Sequence, residues 1–179
     1  MHIRPLHGGD FATIIGWFAD EAALVQWGGP DVRFPLDERQ LQQMLDDGQG
    51  QPPRRQLWVG VVDGSVVAHA QVACDWRHGV ARLARVCVDP ASRGRKIGRR
   101  FLAAIVDAIF RDPAFERIEL NVYTFNHAAI AVYRSLGFVQ EGNRRSAVRV
   151  GAERWDSAIF GLLRSEYAPH PGTEQASGA

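Results

Sequence analysis

The stretch from Ala81 to Tyr123 constrains the fold more than any other part of the chain. Ala81–Val88 is apolar and reads as a strand. A basic loop with two glycines follows, from Asp89 to Gly98, and then Phe101, Leu102, Ile105 and Ile109 recur at helical spacing, stopping before Pro113. In Arg117–Tyr123, Ile118, Leu120 and Val122 alternate with Glu119, Asn121 and Tyr123, the period of a strand. A strand–helix–strand order makes the two strands parallel neighbours, because the crossover packs back on the sheet with one hand.

The flanking segments read as hairpins and short helices. Residues 1–5 form a short strand, and Asp10 can cap a helix over Phe11–Ala19. A second helix covers Glu21–Trp27 and stops at Gly28-Gly29-Pro30. Asp37 caps a third, which ends at Gly48. Gln56–Val62 and Val66–Cys74 are strands about an Asp63-Gly64 turn, and His78-Gly79 turns the chain into Ala81–Val88. Asn126 caps a helix to Leu136 with Gly137 after it, and Val139–Val150 and Arg154–Leu163 close as two long strands. The expected fold is α+β: a mixed, mostly antiparallel sheet with a central parallel pair and helices on both faces. A single domain over 1–167 and a disordered tail over 168–179 are expected.

Composition narrows the classes of function. The net charge of +1 gives no global reason for a nucleic-acid or acidic-membrane partner. No apolar run reaches the ~20 residues that cross a bilayer. Met1–Pro5 lacks the apolar core of a secretion signal, so a cytoplasmic address is expected. Cys74 and Cys87 are too few for a disulfide framework or zinc cluster, read as small buried hydrophobes, and no metal is expected.

The loop before the long helix carries the first chemistry. Gly94 and Gly98 admit close approach of a ligand to the backbone, and Arg93, Arg95, Lys96, Arg99 and Arg100 surround it with positive charge. A helix N-terminus in that setting suits a phosphate. A solvated basic helix start and a nucleic-acid patch are the competing readings. The spacing is neither that of a Walker A loop nor that of the dinucleotide fingerprint. The second cluster is Asn126-x-x-Ala129-x-x-x-Tyr133-x-x-Leu136-Gly137-Phe138, where Ala129 and Tyr133 share a helix face.

Together, Arg93-x-x-Lys96-x-Gly98 and the Asn126–Phe138 cluster resemble the Gcn5-related N-acetyltransferases. The likeness covers roughly residues 1–165, and the closing strands resemble the ribosomal-protein and polyamine branch. It implies acetyl-CoA as co-substrate. Its pyrophosphate would lie on the N–H groups of Gly94, Arg95, Lys96, Ile97, Gly98 and Arg99, with Arg93 beside them, and its pantetheine arm along Val86, Cys87 and Val88. A backbone N–H of that strand would polarise the thioester carbonyl. Asn126 would bind the arm or position the helix, and Tyr133 would protonate the leaving thiolate. Lys96 stands where the family usually has glycine, and a negative φ is expected there.

The base and the acceptor are less defined. Some family members carry a Glu five residues before the Asn; here that position is Asn121. Glu119, on the same strand face, is the candidate acting through water, with Asp75, Asp20 and Glu21 as further carboxylates. Trp27, Asp75 and Asn121 are the expected acceptor contacts. Trp17, Phe34, Trp76 and Trp155 add aromatic surface, and acidic residues in that region would suit a cationic amine. A small-molecule amine or a protein N-terminus is the expected acceptor. A homodimer through the closing strands stays open, as does a catalytically weak acyl-CoA-binding sensor of the same fold.

Overall fold

A computed structural model describes residues 1–169. The expected tail therefore lies almost wholly outside the described residues. Among the described residues, seven strands form one sheet in the order β1-β2-β3-β4-β5-β7-β6. They are β1 His2–Pro5, β2 Arg55–Val62, β3 Ser65–Asp75, β4 Val80–Val88, β5 Arg117–Tyr123, β6 Val139–Val150 and β7 Glu153–Leu163. Every neighbouring pair is antiparallel except β4–β5, which is parallel. The helices are α1 Phe11–Ile15, α2 Glu21–Gly28, α3 Glu38–Asp46, α4 Ile97–Arg111 and α5 His127–Ser135.

Strand alternation divides the core between the two faces. Leu57, Val59 and Val61 of β2 pack with Phe11 and Ile14 of α1, Leu24 and Trp27 of α2 and Leu41 of α3. Ala68, Ala70 and Val72 of β3 pack on the other face, with Phe101, Ile105 and Ile109 of α4 and with α5. The α4 contact depends on Gly60: a Cβ there would lie 2.8 Å from Cδ2 of Phe101. Bare backbone lets the phenyl ring settle on the sheet.

The first helix is shorter than its apolar spacing predicts. Asp10 does not cap it. Its carboxylate accepts both guanidinium nitrogens of Arg4, at 2.7 and 2.8 Å, and the backbone N–H of His7 at 3.0 Å. The helical path consequently begins earlier, as a single 3₁₀ turn over Gly8–Asp10, and α1 ends at Ile15. The caps expected elsewhere are present: Asp37 accepts from Gln40 N and Asn126 from Ala129 N.

Two departures from regular pairing open the sheet at its centre. β4 and β5 pair only from Val80↔Arg117 to Leu83↔Leu120. Beyond Leu83 they separate. On the other side of β4 the register passes from Gln71↔Ala84 to His69↔Cys87, so Arg85 and Val86 are two residues opposite one, a β-bulge. Arg85 has φ +50, an uncommon conformation for a residue with a side chain. The Trp27 indole N–H holds it, donating to the Arg85 carbonyl at 2.6 Å.

Candidate active site

Where β4 and β5 part, a cavity of 1400 Å³ runs from α2 across β4 to the start of α4 and along α5. Backbone groups of β4 line its floor. The Asp89 N–H donates to the Val67 carbonyl, so Cys87 and Asp89 present their peptide groups to β3. Alternation turns those of Val86 and Val88 to the side that β5 has vacated. An unpaired strand edge of this kind can hydrogen-bond an extended, amide-containing ligand.

At the far end of β4, the first turn of α4 presents the backbone N–H groups of Ile97, Gly98 and Arg99, which have no acceptor among the described residues; the first helical bond is from Arg100 N to the Lys96 carbonyl. Arg93, Lys96 and Arg99 line this end of the cavity and make no salt bridge among the described residues. Arg95 does not line it. The helix dipole, three free donors and unpaired cations all favour an anion at this point.

Lys96 corrects the sequence expectation. It precedes α4 at φ +59, ψ +14, in the left-handed region, rather than at negative φ. Gly94 is also left-handed, at φ +79. Strain at Lys96 is therefore part of the loop, at a cost of about 1–2 kcal/mol for a residue with a Cβ. Lys96→Gly relieves it but frees the unfolded chain, so stability by urea unfolding should change by less than ~1 kcal/mol. Lys96→Val should be destabilised by about 1–2 kcal/mol, because a β-branched side chain tolerates this conformation least.

On α5, Tyr133 is buried, 6% exposed, yet lines the cavity. Its ring meets Phe138 edge-on at 5.8 Å, and its hydroxyl has no hydrogen-bond partner among the described residues. Burial pushes its pKa well above the ordinary tyrosine value, so it stays protonated. Burial raises the Cys87 thiol in the same way, which leaves it a poor nucleophile. Asn126 lines the cavity while its side-chain oxygen caps α5 at 3.2 Å.

The predicted carboxylates lie elsewhere. Glu119 accepts from Arg82 at 2.8 Å and from Arg117 at 3.5 Å, and Arg117 in turn grips Glu141. This ion-pair chain holds Glu119 away from the cavity, so the base expected there is not in place. Asp75 is exposed and bonded to His78, and Asp20 caps α2. Neither lines the cavity; nor does Glu21. Asn121 does. Trp27 forms part of the wall, packed against Phe18 at 4.8 Å, and Trp17 lies nearby. Trp76 instead packs on Phe115, Trp155 on Tyr123 and Phe125, and Phe34 is exposed outside the cavity. The acidic acceptor region is likewise corrected: among the described residues, seven cationic side chains and no carboxylate line the cavity.

Sequence reading missed a buried polar chain beneath α2. His69 and Gln71 are fully buried in β3. The His69 Nδ1 lies 3.0 Å from the Trp58 carbonyl, which can only accept, so Nδ1 carries the proton. Nε2 then accepts from the Gln71 amide nitrogen at 3.3 Å. Burial lowers the His69 pKa to about 4. An unfolded imidazole titrates near ~6.5. Between those values the unfolded state binds more protons, so stability is full above about pH 6.5 and falls as pH drops toward 4. The expected loss is about 3 kcal/mol. Urea unfolding at pH 7.5 and 5 should show a steeper decline for the native chain than for His69→Gln.

Residues 18–138 match the acetyltransferase (GNAT) family, and the chain belongs to that family. Over 91 residues it is 41% identical to the N-alpha-acetyltransferase RimI of Mycobacterium tuberculosis, which covers 43% of this chain and 53% of that protein. It is 29% identical over 123 residues to the L-amino acid N-acetyltransferase AaaT of Escherichia coli, 67% of this chain and 73% of that one. The chain spans about half the length of the first curated relatives it matches. Its fold is that of the spermidine N-acetyltransferase of Vibrio cholerae solved with CoA and spermine, with a TM-score of 0.80, 18% identity, and coverage of 93% of this chain and 96% of that one. Among the described residues, no helix is long and apolar enough to cross a membrane.

Proposed function

We propose that this chain is an acetyl-CoA-dependent N-acetyltransferase acting on an amine by direct attack on the thioester. The observation that carries the reading is the alignment, in one cavity, of three components. These are the free amides and cations at the start of α4, the vacated β4 edge at Val86 and Val88, and the buried Tyr133 hydroxyl. The first suits a pyrophosphate and the second an amide-bearing arm.

In this reading, the β4 backbone N–H of Val86 or Val88 polarises the thioester carbonyl and stabilises the charge that develops on its oxygen. The amine nitrogen forms the new C–N bond as the C–S bond breaks. Tyr133 donates its proton toward the departing sulfur. The protonated Cys87 thiol argues against an acyl-enzyme route.

The proton lost by the amine has no carboxylate to receive it in the cavity, so it passes to water. The cavity's charge assists. Cations close to an ammonium disfavour its charged form and lower its pKa. An amine whose pKa is lowered in this way loses its proton to water more readily than a free alkylamine near ~10.4.

The test is CoA thiol release from acetyl-CoA over a panel of α-amines, polyamines and aminoglycosides, with CoA affinity measured alongside. Release with at least one amine is expected. CoA binding without release to any amine would describe a CoA-binding module instead.

A further inference from the structure

Two arginines in the cavity remain unexplained by acetyl transfer as such. Arg55 of β2 and Arg85 of the β4 bulge both line the cavity and both donate to one atom, Oε1 of Gln71, at 2.9 and 3.0 Å. Neither has a salt-bridge partner among the described residues. Asp31 and Asp47 are near enough to influence Arg85 electrostatically, but neither bonds to it. Arg82, by contrast, has its charge met by Glu119. Arg85 also reaches the Gly28 carbonyl through Nε at 3.5 Å. Holding two like charges against neutral oxygens, partly out of water, is costly without an anion to share.

The structure spends buried groups on this arrangement. The Trp58 carbonyl fixes the His69 tautomer, and His69 Nε2 accepts from the Gln71 amide nitrogen. That sets the Gln71 oxygen toward the arginines. The Trp27 indole pins the Arg85 backbone in its left-handed bulge. Both guanidinium groups are thereby positioned before any ligand arrives. Arg85 also directly precedes Val86, where the proposed reaction takes place, so an anion held by it would lie close to the reacting amine.

We infer that Arg55 and Arg85, oriented by Gln71, form a carboxylate-binding subsite, and that the acceptor is a free amino acid rather than a polyamine or a peptide N-terminus. Paired guanidinium donors match the planar fork of a carboxylate. A polycation would enter a cavity whose lining carries seven cations and no carboxylate. A peptide N-terminus has an amide where a free amino acid has its anion. This inference rests on the acetyltransfer reading, and its test separates the two.

With acetyl-CoA saturating, the twenty L-amino acids, their carboxamides and spermidine are compared by thiol release. At least one amino acid should exceed its own carboxamide tenfold or more in kcat/KM, with spermidine behind both. Arg85→Gln and Arg55→Gln should each raise the KM for that amino acid at least tenfold with little change in the KM for acetyl-CoA. Gln71→Glu, which supplies a carboxylate from within, should do the same and serves if an arginine variant does not fold. Carboxamides or spermidine used as well as amino acids would overturn the subsite and leave acetyl transfer standing, as would an unchanged KM in the variants. Release with no amine would overturn acetyl transfer. The subsite would then be decided by thermal shift of the CoA-saturated protein with the same amino acids. A rise in Tm lost in Arg85→Gln supports it, and no rise overturns it.

Discussion

Tyr133→Phe is expected to lower kcat by about 10²–10⁴-fold, the range for loss of a positioned general acid, while CoA affinity stays near that of the native chain. The hydroxyl can be removed with little structural consequence. It has no hydrogen-bond partner among the described residues, whereas the ring packs with Phe138 and Phe160 and would remain in place. Its raised pKa favours a protonated phenol throughout the working pH range, so native activity should show no loss from Tyr133 ionisation up to pH 10. Stopped-flow or steady-state thiol release, together with CoA titration of both proteins, decides the matter. A kcat unchanged in the variant would remove Tyr133 from the reaction and leave water as the proton donor to sulfur.

What the sequence made legible depended on local signals. Strand ends at Asp63-Gly64 and the caps at Asp37 and Asn126 are set by residues within a few positions of each other, and the structure has them as read. The parallel β4–β5 pair followed from connection order alone. The misreadings involve partners distant in sequence or geometry not visible in residue type. Asp10 looked like a cap until Arg4 claimed its carboxylate. Glu119 stood on the correct strand face, yet Arg82 and Arg117 hold it, and only β4–β5 register shows that Arg82 lies opposite it. His69 and Gln71 sat in a run read as apolar strand. Their significance appears only when Arg85, in a bulge with no sequence signature of its own, is brought to Gln71 from 14 positions away. The helix-start end of the cavity was more legible than the wall proposed for the acceptor, because a basic loop before a helix N-terminus is a local motif, whereas that wall is assembled from β2, β3, β4 and α2. Even at the helix start the left-handed Lys96 was missed, since backbone conformation is not visible in residue type.

That division gives core packing a functional consequence. Phe101→Ala is expected to destabilise the protein by about 3–5 kcal/mol. Phe101 is fully buried, and Gly60 beneath it has no side chain to move into the space. The backbone of β2 is held by pairing on both sides, to β1 and β3, so the cavity collapses poorly. The same ring lies one helical turn from the free amides of Ile97, Gly98 and Arg99 and fixes the height of α4 above the sheet. Loosening it should therefore also weaken CoA binding in the fraction that remains folded, whereas Tyr133→Phe should not. Urea unfolding and CoA titration of the two variants separate the cases. A Phe101→Ala protein within ~1 kcal/mol of the native chain would mean that α4 is held by its other apolar contacts, Ile105 and Ile109 foremost.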